Sequence, residues 1–81
     1  MTYHLTSETE RWKIEPLKFD QINRWKLFHA VGEAWKGLRG FPTAEAAMAA
    51  VAGGKTGVEI WDGTPHDDAD FAPAKWSAES W

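Results

Sequence analysis

The sequence predicts a small α+β domain: an antiparallel meander of three to five strands, one helix at about 43–53 packed on one face, and a final strand at about 57–61. Three observations carry that expectation. Residues 10–14 alternate apolar and charged side chains. Two strand-like runs flank Gly32-Glu33, and an alanine-rich run with helical spacing follows Thr43.

Glu10-Arg11-Trp12-Lys13-Ile14 puts Trp12 and Ile14 on one side and Arg11 and Lys13 on the other, the pattern of a half-buried strand. Tyr3 and Leu5 suggest a shorter strand before it, with Ser7-Glu8-Thr9 as the turn. Pro16 closes the region because it has no amide proton for a ladder. Residues 22–31 form the longest strand candidate. Gly32-Glu33 suits a two-residue type II′ turn, after which residues 34–39 return antiparallel. That register sets Ala30 opposite Trp35 and Leu27 opposite Leu38. It gives Trp25, Leu27, Val31, Ala34 and Leu38 one face, and Arg24, Lys26, Phe28, Ala30, Trp35 and Arg39 the other. A slip of one residue would exchange the faces of one strand.

Thr43 is an N-cap candidate, and Glu45 suits the positive end of the helix dipole. Ala44, Ala47, Met48 and Val51 recur at the spacing of one helical face. Gly53-Gly54 stops the helix. Gly57-Val58-Glu59-Ile60-Trp61 alternates again and reads as the last strand, so residues 1–62 form one globular unit. Residues 63–81 hold Pro65, Pro73 and scattered acids without a period. They read as an acidic, flexible tail unless Phe71, Trp76 or Trp81 docks on the body.

Bulk composition narrows the function classes. An 81-residue chain is one domain with a modest core. The six tryptophans are unusual at this length, and burial is the ordinary fate of Trp12, Trp25 and Trp61. There is no cysteine, so disulfides, thiolate zinc sites and cysteine nucleophiles are excluded. Together with the lack of a long apolar run or a signal-like N-terminus, this predicts a cytoplasmic protein with no membrane association. The net charge of −3 is unevenly spread. Residues 11–39 carry Arg11, Lys13, Lys18, Arg24, Lys26, Lys36 and Arg39 against Glu15, Asp20 and Glu33. Residues 59–81 carry Glu59, Asp62, Asp67, Asp68, Asp70 and Glu79 against Lys75. A basic body thus precedes an acidic end, which could fold over the basic face and mask it.

No catalytic constellation stands out, and no cofactor or metal is expected. Gly54-Lys55-Thr56 echoes a phosphate-binding loop, but Ala49 stands where that motif needs glycine. The helix also precedes the glycines instead of following them. His66-Asp67-Asp68-Ala69-Asp70 crowds possible metal ligands into a segment without the spacing of a calcium loop. His4 and His29 lack a recognisable nucleophile, since Ser7, Ser77 and Ser80 sit in no elbow context. The expectation is therefore a non-enzymatic interaction or accessory module acting on a protein partner or a second copy of itself. Trp76 and Trp81 are the candidate docking residues of its tail. Exposed strand edges at 10–14 or 57–61 would be further docking points. The alternative is weak nucleic-acid binding through a basic-aromatic face of Arg24, Lys26, Phe28, Trp35 and Arg39, extended by Arg11 and Lys13. An isoelectric point near 5.5 counts against it.

Overall fold

The computed structural model describes residues 2–6, 10–18, 22–64 and 68–79. Strands β1 (Thr2–Thr6), β2 (Arg11–Pro16), β3 (Trp25–Val31) and β4 (Ala34–Phe41) form an antiparallel meander. The last strand, β5 (Ser77–Glu79), returns beside β1, giving the order β4-β3-β2-β1-β5. Helix α1 (Ala44–Gly53) packs on one face, and a short helix α2 (Glu59–Asp62) and two 3-10 turns (Asp68–Phe71 and Pro73–Lys75) lead to β5.

Local chemistry explains these elements. Gly32 has φ +65°, which a type II′ turn requires at its first central residue, and Val31 pairs with Ala34 across it. Thr43 caps α1 by accepting the Ala46 amide at 3.0 Å. Gly54 ends it in the left-handed region at φ +69°, donating its N–H to the Ala50 carbonyl. A Cβ on Gly54 would also lie 3.1 Å from the Asp62 carbonyl oxygen, so the chain returns over that glycine.

The core lies between the sheet and α1. Trp12, Ile14 and Leu27 face Ala44, Ala47, Met48 and Val51, all buried. Small alanines let the helix approach while the tryptophans fill the remaining depth. Trp12 is 0% exposed and Trp61 6%. Trp25 is half-buried at the margin, its ring 5.6 Å from that of Tyr3.

The final strand lies at Ser77–Glu79, and the stretch expected to form it is helical over Glu59–Asp62. A five-residue alternation is too short to distinguish a strand from a helical turn. In the helical form Trp61 points inward and donates its indole N–H to the Val51 carbonyl at 2.9 Å, while Ile60 is left 85% exposed. The expected open edges move accordingly. Residues 12–14 are interior, paired on both sides, and the sheet edges are β4 and β5.

The C-terminal stretch docks through two of its aromatics. Phe71 meets Trp61 edge-on at 4.9 Å, and Trp76 is buried with its indole donating to the Phe71 carbonyl at 3.3 Å. Trp81 lies outside the described residues. A buried tryptophan replaced by alanine costs about 3 kcal/mol or more. Trp76→Ala is therefore expected to lower the urea-unfolding free energy by about that amount. An unchanged midpoint would show that Trp76 is not part of the core.

Candidate functional site

Residues directly opposite across an antiparallel ladder share a face. Trp12 opposes His29 and Ile14 opposes Leu27, which places these four under α1. Their alternates therefore face away from the helix. Lys13 opposes Phe28, Glu15 opposes Lys26, Phe28 opposes Gly37 and Ala30 opposes Trp35. Arg11, Lys13, Lys26, Phe28 and Trp35 thus share the open face of the central strands, as the basic-aromatic reading requires.

Their contacts form a small lattice. The Lys13 ammonium sits 4.9 Å from the Phe28 ring centre and 4.8 Å from that of Trp35, so one cation covers two rings. Lys26 lies 5.6 Å from Phe28, and the Arg11 guanidinium lies 5.6 Å from Trp35. Gly37 makes room for this arrangement. A Cβ there would be 2.8 Å from Lys26 Cε and 3.6 Å from a Phe28 ring carbon, so Lys26 lies across bare backbone. Arg11 also donates to the Gly32 carbonyl at 2.9 Å, and Lys13 pairs with Glu15 at 2.8 Å. Each cation–π contact is worth about 0.5–1 kcal/mol at an exposed position, and each exposed ion pair no more. Together they orient side chains and contribute little to the fold.

Two of the predicted face residues lie elsewhere. The β3–β4 ladder pairs Phe28 with Gly37 but Lys26 with Gly40, so Leu38 and Arg39 together oppose Leu27. The predicted Leu27–Leu38 pair is replaced by this bulge, which changes the parity of β4. Arg39 is carried to the helix side, its guanidinium 5.4 Å from the Phe41 ring centre and in the field of Asp62. Arg24 precedes β3 and is exposed, its carbonyl accepting the Leu17 amide at 2.6 Å. The C-terminal stretch does not mask the basic face where it is described. Its turns pack against α1, and β5 joins the edge beyond β1, the far side of the sheet from β4.

The other candidate clusters resolve into structural roles. His29 pairs with Glu10 and stacks on Trp12 at 4.3 Å, and Trp12 meets Trp61 edge-on at 5.0 Å. The Gly54-Lys55-Thr56 stretch is the end of α1, and the Thr56 hydroxyl is committed to Asp62 at 2.8 Å. His66 and Asp67 lie outside the described residues, and among the described residues no three metal-binding side chains gather.

Sequence reasoning missed Gly37 and the Thr56–Asp62 clasp. Asp62 accepts the Thr56 and Gly57 amides at 2.9 and 2.8 Å in addition to the Thr56 hydroxyl, closing the loop between α1 and α2. Burial pushes the Asp62 carboxyl up. The Thr56 and Gly57 hydrogen bonds, with the nearby Arg39 charge, outweigh that and hold it below the ordinary carboxylate range. A depressed folded-state value means stability that is present above the unfolded value of about 3.9 and lost as pH falls through the folded one. Asp62→Asn is expected to lower stability at neutral pH and to flatten its decline below about pH 4, measured as the urea midpoint against pH. A wild-type acid limb retained in the variant would exclude the clasp as its source.

No protein-family model matches this chain, and no curated protein or solved structure matches it either.

Proposed function

We propose that this chain is a binding module without catalytic activity, whose open sheet face receives an acidic, extended segment of a partner protein. One observation carries the reading. The Lys13 ammonium lies within 5 Å of both the Phe28 and Trp35 ring centres, with Arg11 and Lys26 beside it. These residues sit on the strands that oppose the core, so their backbone positions are held before any partner arrives.

The chemistry favours carboxylates over stacked bases. Phe28 and Trp35 are half-buried and already covered by cations, so a base would have to displace Lys13 to stack. A carboxylate can meet the ammonium and guanidinium heads without moving a ring. The chain's net charge of −3 repels an acidic peptide and a nucleic acid alike at long range, so attraction to either rests on the locally positive face. Nucleic acid is the second reading, favoured by the same cations and rings on central strands. The cysteine-free composition fits a cytoplasmic setting, where disulfides do not persist.

A ¹⁵N-correlated titration at low salt separates the readings. A peptide rich in Asp and Glu is expected to shift the Trp35 indole and the amides of Lys13, Lys26 and Gly37. Lys13→Gln is expected to weaken that binding about fivefold, and added salt to reverse it. If oligothymidylate produces the same shifts at lower concentration than the peptide, the nucleic-acid reading replaces this one. If neither moves these signals, the open face is not a binding surface for anions.

A further inference from the structure

We propose that a groove on the helix side of β4, away from the open face, binds a small amphiphilic carboxylate. Its acid group would be held by Arg39 and Lys55, and its apolar body would lie on Phe41 and the outer alanines of α1. The groove is shallow and open to solvent, with a volume of about 420 Å³, within the range of small-molecule sites. Its walls are Phe41, Ala46, Ala49 and Ala50, and among the described residues its charged lining is Arg39 and Lys55, both exposed. A mainly apolar site with a few converging polar groups is the usual form of a ligand pocket.

Arg39 reaches this groove because of the β-bulge at Leu38-Arg39, and bulges recur where a sheet re-aims a side chain. The Arg39 guanidinium lies over the Phe41 ring face, 5.4 Å from the ring centre. Among the described residues Arg39 has no hydrogen-bond acceptor. Asp62 is near enough to feel its charge, but the hydrogen bonds its carboxylate accepts come from Thr56 and Gly57. Lys55 also lines the groove, its backbone tied to the end of α1 by an amide that donates to the Ala50 carbonyl at 2.8 Å. A planar carboxylate matches a guanidinium fork. Two cations above an apolar floor suit a monoanion with an aliphatic or aromatic body.

The test uses sodium octanoate as probe and 1-octanol as its uncharged counterpart, each titrated into the full chain below aggregation concentration and followed by ¹⁵N-correlated spectra. Saturable shifts at Ala46, Ala49, Gly53 and Lys55 are expected, with an octanoate dissociation constant on the order of 1 mM. Octanol is expected to bind at least about fivefold more weakly, and Arg39→Gln or Lys55→Gln to weaken octanoate by about the same factor. Both variants alter exposed side chains, and the same spectra report whether the fold is kept. If Arg39→Gln disturbs β4, Lys55→Gln decides. No saturable shift, equal affinity for octanol, or octanoate binding unchanged in both variants would overturn the proposal. A weakening in either folded variant, together with the octanol difference, supports it. The shifts expected for the acidic peptide lie on the opposite face, so failure of one site leaves the other standing.

Discussion

Trp12 is wholly buried between the sheet and the segments that follow α1, and its ring contacts link parts of the chain that are distant in sequence. It stacks on His29 in the neighbouring strand and meets Trp61 of α2 edge-on, and Trp61 in turn meets Phe71. A sheet of this size covered by a single alanine-rich helix would leave a shallow core. The aromatic column supplies the missing depth and draws the C-terminal stretch onto the body. Burying an indole removes about 150–250 Å² of apolar surface, worth about 4–6 kcal/mol. Trp61 and Trp76 donate their indole N–H groups to carbonyls, but the Trp12 N–H has no partner among the described residues. An unsatisfied buried donor costs about 1–3 kcal/mol, so the ring's burial outweighs it.

The same burial orders the opposite surface. A strand alternates, so fixing Trp12 and Ile14 beneath α1 fixes Arg11 and Lys13 outside, and fixing Leu27 does the same for Lys26 and Phe28. The cation–π lattice is thus a consequence of core packing rather than of the weak contacts within it. A one-residue slip of β2 would bury Arg11 and Lys13 and expose Trp12 and Ile14, a cost far larger than any contact on the open face could offset.

Much of this was legible in the chain because it rests on short-range rules. Trp12 and Ile14 alternate with cations, Gly32 permits the turn, Thr43 caps, and Gly54 terminates. Each signal lies within a few residues of its effect. The bulge at Leu38-Arg39 was not legible. Gly37 and Gly40 flank those positions and were the available signal, since glycine within a strand often marks a bulge, but both registers keep Leu38 near Leu27, so apolar pattern could not show that Arg39 changes side. The α2 turn was misread for a related reason. What makes it a helix is the Asp62 carboxylate folding back on the Thr56 and Gly57 amides, a pairing that no periodicity records. Strand β5 has no large apolar side chain at all. Its place is set by backbone pairing with β1 and by Trp76 immediately before it.

The bulge also divides the basic body into two surfaces with different physics. On the open face, Lys13 is partly compensated by two rings and by Glu15, so what it offers a partner is chiefly charge. Attraction of that kind between exposed groups fades over a Debye length of about 8 Å at physiological salt. In the groove, Phe41 and the α1 alanines supply area that salt does not screen, and Arg39 and Lys55 add direction. Raising ionic strength should therefore dissociate an acidic chain from the sheet well before it releases an amphiphile from the groove. One folded chain can carry both surfaces because a single extra residue in β4 keeps Arg39 from joining the other cations.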